Sequence, residues 1–170
     1  MNEATFARVA QEYRSRLYVV AYRMLGRRHD AEDAVQRALL KCFAAREAYS
    51  PRWAISTWLY RALTNVCIDE LRRRHTAAAG ARASADEAPR HARPAPVGDR
   101  VDVERALMRV PREARMLLAL HYVDGLSFGE LARIRGISVN TVKSQLARGK
   151  AIMRETLEHG GRRPGRPRTR

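Results

Sequence analysis

Between His75 and Arg100 the chain runs through twenty-six residues of Ala, Pro, Gly, Arg and Ser, with Pro89, Pro94 and Pro96 and almost no large apolar side chain. Such a segment has nothing to bury, so it reads as a flexible linker dividing the chain into two modules, residues 1–74 and 101–159. With 45% apolar residues overall, each module has enough to build a core. Residues 160–170 carry five arginines and no acid among Gly and Pro, which forbids a stable helix and reads as a disordered basic tail.

Apolar residues recur at three and four in both modules, and β-branched alternation is absent. This predicts an all-α protein of two small helical domains. In the first, a helix over about Ala4–Leu25 carries Phe6, Val9, Ala10, Tyr13, Leu17, Val20, Ala21 and Met24 on one stripe and closes at Gly26. Asp30 is read as the cap of a second helix with Ala34, Val35, Ala38, Leu39, Cys42 and Phe43 on its apolar face. Tyr49 to Arg52, with Pro51, breaks the pattern, and a third helix follows over about Ile55–Arg74. The second module predicts helices near Val101–Arg109, Pro111–Tyr122, Ser127–Ile134 and Ser138–Leu157.

The charge says what the modules meet. Thirty-three Lys and Arg against 18 Asp and Glu leave +15, which expects a polyanion. No apolar run approaches the ~18 residues of a membrane span, and the N-terminus lacks a basic-then-apolar signal pattern, so the expectation is a cytoplasmic protein without membrane insertion. Cys42 and Cys67 lie far apart without a CxxC, and His29, His75, His91, His121 and His159 are scattered. Neither a disulfide framework nor a metal site is readable, and with no phosphate loop or nucleophile–base grouping the chain is expected to have no cofactor and no catalysis of its own.

Ser127 to Lys143 has the pattern of a helix-turn-helix: a short helix with Leu131, Ala132 and Ile134, a turn at Gly136, and a second helix capped by Ser138. On a helical wheel Val139, Val142 and Leu146 share one stripe, predicted to be buried. Asn140, Thr141, Lys143, Ser144, Ala147 and Arg148 fill the opposite arc and offer amides, hydroxyls and cations to a major groove.

With Val110 to Arg115 and Leu117 to Ser127 before it, this stretch resembles the C-terminal domain of extracytoplasmic-function (ECF) sigma factors, which reads the −35 promoter element. The resemblance implies −35 contacts from Ser138, Asn140, Thr141, Lys143, Ser144, Ala147 and Arg148. Gln145 stands where the family usually has Arg, and Gly149 where it usually has Ala, a change expected to loosen the helix by about 1 kcal/mol.

A conventional helix-turn-helix regulator, acting without replacing the sigma subunit, carries a similar motif, so the first module decides. Leu25 to Gln36 resembles the family segment that docks on RNA polymerase, which implies core contacts from Asp30, Glu32, Asp33 and Gln36. Read physically, three carboxylates near a helix start sit well with the macrodipole. On the third helix Arg61, Asn65, Asp69 and Arg72 share a polar face opposite Leu59, Ala62, Leu63, Val66 and Cys67. That stripe resembles the family's −10 reading helix. The resemblance further implies that the loop with Tyr49, Ser50, Arg52 and Trp53 holds a base flipped from the non-template strand, with Trp58 an anchor in the core.

The expected function is therefore that of an ECF-type sigma factor. Its expected partners are core RNA polymerase, through the β′ clamp helices and β flap, promoter DNA, and an anti-sigma factor. A 26-residue linker spans at most about 90 Å, against about 70 Å between elements two helical turns apart, so free modules have room to pack together and hide their DNA faces.

Overall fold

The computed structural model describes residues 1–52, 54–82 and 98–160, so Trp53, the central part of the linker and the tail beyond Gly160 lie outside the described residues. Among the described residues seven α-helices follow in order: α1 (Glu3–Leu25), α2 (Arg28–Ala44), α3 (Ile55–Arg82), α4 (Gly98–Arg109), α5 (Arg112–Asp124), α6 (Phe128–Arg135) and α7 (Val139–Gly160). A single 3₁₀ turn, Arg46–Ala48, joins α2 to the loop before α3. Among the described residues there is no strand, and no helix is long and apolar enough to cross a membrane.

Local chemistry sets the helix ends. Asn2 caps α1 by accepting from the Thr5 amide at 2.8 Å, and Gly26 ends it at φ 74°, donating to the Tyr22 carbonyl. In the second module Ser127 and Glu130 form a reciprocal capping box on α6, and Gly136 turns the chain at φ 65°. Ser138 opens α7, its Oγ accepting from the Thr141 amide at 3.0 Å.

Three expectations need correction. Asp30 does not cap α2: Arg27 holds the cap position, and Asp30 sits within the first turn, its carboxylate 2.7 Å from Arg74. α3 continues to Arg82 and α4 opens at Gly98, so helix invades both ends of the predicted linker. The run Thr76 to Ala81 is rich in Ala, the strongest helix former, and needs no large side chain to stay helical. Phe43 lies at the rim of the core, 37% exposed, with the Arg46 guanidinium 4.2 Å from its ring centre.

Helices α1, α2 and α3 pack on one another around Leu17, Val20, Met24, Leu59, Leu63 and Val66, all buried. Helices α4 to α7 do the same around Met116, Leu117, Leu120, Leu131, Val142 and Leu146. The two modules also touch, α1 lying along α5 and α3 against α6, and their buried residues join in one apolar cluster.

Glu70 is the polar pivot of the first module. Its side chain is 8% exposed and accepts from Arg73 at 2.8 Å and Arg74 at 3.1 Å, with Arg37 at 3.6 Å. Burial pushes the carboxyl up, but the hydrogen bonds from Arg74 and Arg73 outweigh it and hold Glu70 below the usual carboxylate range. Arg74 also donates to the Leu25 carbonyl, tying α3 to the end of α1.

Candidate nucleic-acid interface

On α7, Asn140, Lys143, Ser144, Ala147 and Arg148 are exposed and share one face. Three hydroxyls there are already engaged: Ser144 donates to the Thr141 carbonyl at 3.0 Å, and Ser138 and Thr141 share a hydrogen bond at 2.9 Å. Val142 and Leu146 are buried as the wheel required, but Val139 is 39% exposed. It is the first residue of α7, one turn before the buried Val142.

Gly149 has a different meaning from the one its propensity suggests. A Cβ built there would lie 2.9 Å from Leu118 Cδ1, 3.3 Å from Ala114 Cβ and 3.4 Å from Val110 Cγ1. The missing side chain lets α7 approach α5 closely, which fixes how far the reading face stands from the module's core. The wheel registers a residue's type and not its distance to a neighbouring helix, so this role was out of its reach.

On α3, Arg61, Asn65, Asp69 and Arg72 are all exposed along one stripe, with Asp69 and Arg72 3.8 Å apart. Arg73 and Arg74 turn away from that stripe toward Glu70. Beside the N-terminal end of the stripe lies a recess of about 210 Å³ lined by Ala48, Tyr49, Ser50, Thr57, Trp58, Arg61 and, from α6, Arg133. The Tyr49 and Trp58 rings sit 5.1 Å apart at its wall, and Trp58 packs edge-on against Phe6 at 6.4 Å. Trp58 is thus an anchor with one edge available. Ser50 and Arg52 are exposed, the Arg52 amide donating to Ser50 Oγ at 3.4 Å.

The acidic segment divides. Glu32, Asp33 and Gln36 are exposed on the outer face of α2, Asp33 pairing with Arg37 at 3.3 Å, whereas Asp30 is drawn inward by Arg74. The same outer face carries Leu40, 66% exposed, one helical turn from Gln36 and two from Asp33. An apolar residue off the core stripe was the available signal for it. Among the described residues no group of His, Cys, Asp and Glu could hold a metal ion.

Comparison with known proteins covers both modules. The profile of Sigma-70 region 2 matches residues 9–76, and that of Sigma-70 region 4 matches residues 100–153. The chain is 29% identical over 169 residues to the ECF RNA polymerase sigma factor SigW of Bacillus subtilis, covering 92% of this chain and 90% of SigW. It is 37% identical over 131 residues to the ECF RNA polymerase sigma factor SigM of Mycobacterium tuberculosis, covering 75% of this chain and 64% of SigM. The sigma factor RpoE of Bartonella quintana, solved with the anti-sigma factor NepR, superposes with a TM-score of 0.70 at 25% identity, over 87% of this chain and 95% of that one. CnrH, solved with the cytosolic domain of CnrY, shares the fold at a TM-score of 0.71 and 21% identity, over 93% of this chain and 90% of CnrH. With region 2 and region 4 in this order and relatives of this kind along nearly its whole length, the chain belongs to the sigma-70 family, in the extracytoplasmic-function group of RNA polymerase sigma factors.

Proposed function

We propose that this chain is a promoter-specificity subunit working in the cytoplasm: it binds core RNA polymerase, directs it to promoters with matching −10 and −35 elements, and catalyses nothing itself. The observation that carries the reading is a pairing within one chain. An open recognition face on α7 is joined to a second module that offers a polar stripe on α3 beside an aromatic-walled recess. A regulator that only reads duplex DNA has no use for the second of these.

In this reading Arg61, Asn65, Asp69 and Arg72 track the −10 strand while the recess at Tyr49, Ser50 and Trp58 takes an unstacked base. Stacking on an aromatic is worth about 1–3 kcal/mol, which favours melted over paired DNA. Asn140, Lys143, Ala147 and Arg148 face the −35 major groove, Val139 adding an apolar contact suited to a thymine methyl. Ser138 and Thr141 orient the start of the helix and place its amides toward phosphate. Glu32, Asp33 and Gln36 meet the polymerase clamp, with Leu40 as the desolvated anchor that such interfaces favour at their centre. RpoE was solved with the anti-sigma factor NepR, and this supports an anti-sigma factor for this chain as well.

The test is co-purification with core polymerase followed by run-off transcription on a random-promoter library. Stoichiometric binding and enrichment of a two-element promoter are expected. A dimer that binds duplex DNA and ignores core polymerase would replace this reading with that of a conventional regulator.

A further inference from the structure

We infer that Arg46 is a positioning residue for the base recess: it stands outside the recess, sets where the Tyr49 ring lies in its wall, and so governs how well an unstacked base is held. The inference rests on the reading of that recess as a base pocket. What points to it is a set of contacts that gathers the ends of two helices at the turn leading into the recess.

Arg46 begins the 3₁₀ turn that follows α2, and its guanidinium is engaged on every side. Nη1 donates to the Phe43 carbonyl at 3.0 Å, one of the last-turn groups that a helix leaves unpaired. Nη2 donates to Oε1 of Glu3, in the first turn of α1, at 2.9 Å, with the Glu47 carboxylate at a looser 3.8 Å. The guanidinium carbon lies 4.2 Å from the Phe43 ring centre, where the ring face attracts a cation. An arginine that carries only surface charge keeps its head in water, whereas this side chain is 18% exposed.

Two routes lead from Arg46 to Tyr49. Along the backbone, the Ala48 amide donates to the Ala45 carbonyl at 3.1 Å and the Tyr49 amide to the Arg46 carbonyl at 3.4 Å. Through side chains, Phe43 meets Phe6 edge-on at 5.5 Å, Phe6 meets Trp58 at 6.4 Å, and Trp58 meets Tyr49 at 5.1 Å. Phe6 is buried, so the aromatic row is braced from inside the module. Arg46 clamps its outer end, where α1 starts and α2 stops, and is not itself among the residues that line the recess. A gap of about 0.5–1 Å forfeits a quarter to a half of a van der Waals contact, so a small displacement of this turn weakens the stack on Tyr49. Arg61 and Arg72 stand on α3 and stay in place for the strand. The loss should therefore fall on the base and spare the phosphates.

The experiment uses the full chain bound to core polymerase. Its probes are single strands carrying the −10 element of the promoter enriched in the run-off library, with one abasic site at each position in turn. For the unmutated protein one position should carry an abasic penalty of about tenfold in Kd, the scale of one stacked base. Arg46→Met keeps an apolar stem over the Phe43 ring but loses the charge and both hydrogen bonds, and should cut that penalty to about threefold while binding the probe abasic at that position with unchanged Kd. Arg46→Lys, which can still pair with Glu3, should regain most of the penalty, and Glu3→Gln should lose part of it. A purely structural role would instead lower the Tm and weaken every probe alike. A folded Arg46→Met protein that keeps the whole penalty, or that is weakened equally on all probes, would overturn the inference. Should Arg46→Met not fold, Glu3→Gln decides by the same criterion. Tyr49→Ala reports on the recess itself and should abolish the penalty with or without Arg46→Met. If Tyr49→Ala keeps the penalty, or no position shows one, the base-pocket reading fails and the positioning role falls with it.

Discussion

Gly149→Ala separates two accounts of the same residue. In an open helix interior the change would stabilise by about 1 kcal/mol, because Ala loses less backbone freedom than Gly. Here the new methyl would stand 2.9 Å from Leu118 Cδ1, inside any real carbon contact, with Ala114 Cβ at 3.3 Å and Val110 Cγ1 at 3.4 Å allowing little retreat. Overpacking of this kind costs about 1–3 kcal/mol, so the net effect should be a destabilisation of roughly 0–2 kcal/mol. For a module of this size each 1 kcal/mol moves the Tm by about 4–8 °C. The assay is thermal and urea unfolding of the full chain, with Gly129→Ala as control, since the nearest atom to an added Cβ there is Arg133 Nη2 at 3.8 Å. Shortening the obstacle with Leu118→Val should make Gly149→Ala more favourable than it is alone, giving a measurable coupling. A Gly149→Ala protein stabilised by about 1 kcal/mol would refute the close-approach argument.

Other predictions follow from the same geometry. Glu70→Gln should lose about 2–3 kcal/mol at pH 7, the scale of hydrogen bonds to a buried charge. Because the folded carboxyl sits below its unfolded value, its contribution is fully present above about pH 4–5 and lost as pH falls through the folded pKa, so the two proteins should converge in acid unfolding curves. Equal stability at pH 7 would remove the pivot. Lys143→Ala and Arg148→Ala should each lower the salt slope of −35 binding by about 1, whereas Asn140→Ala should change the preferred sequence at nearly constant slope. Filter binding at several salt concentrations reads both. Charge reversal of Glu32 and Asp33 to Lys should abolish core binding with helicity intact, while Asp30→Asn should lower the Tm and leave core affinity near normal. Loss of core binding in Asp30→Asn at full stability would return that residue to the docking surface.

The seven helices and their order could be read from apolar spacing because each buries a stripe whose period the sequence displays. Cap residues were legible where the chemistry is singular, as with Ser138 and Gly26. Asp30 misled because an acid in the first helical turn satisfies the dipole as well as an acid at the cap does. Val139 departs from the wheel because a wheel treats the helix as endless, whereas Val139 is the first residue of α7. The run from His75 to Arg82 lacks large apolar side chains and so reads as linker, although Ala-rich sequence is the easiest to keep helical. The outward faces of α2, α3 and α7 were legible as polar arcs. Contacts such as Arg115 with Met24, ninety-one residues apart, leave no periodic trace.

The continuation of α3 to Arg82 changes how this chain measures a promoter. Each residue that turns helical advances only about 1.5 Å instead of about 3.4 Å, so the helical ends shorten the tether while adding a stiff arm. Between Arg82 and Gly98 fifteen residues remain, reaching at most about 55 Å rather than the 90 Å of an unstructured linker. Once the first module is seated, the local concentration of the second at its own site is high while that contour suffices and collapses beyond it. Each base pair added to the spacer moves the second site about 3.4 Å along the duplex and about 35° around it. Promoters with long spacers are then rejected by a cut-off in reach, whatever their base sequence, so the length of one helix becomes part of the promoter code.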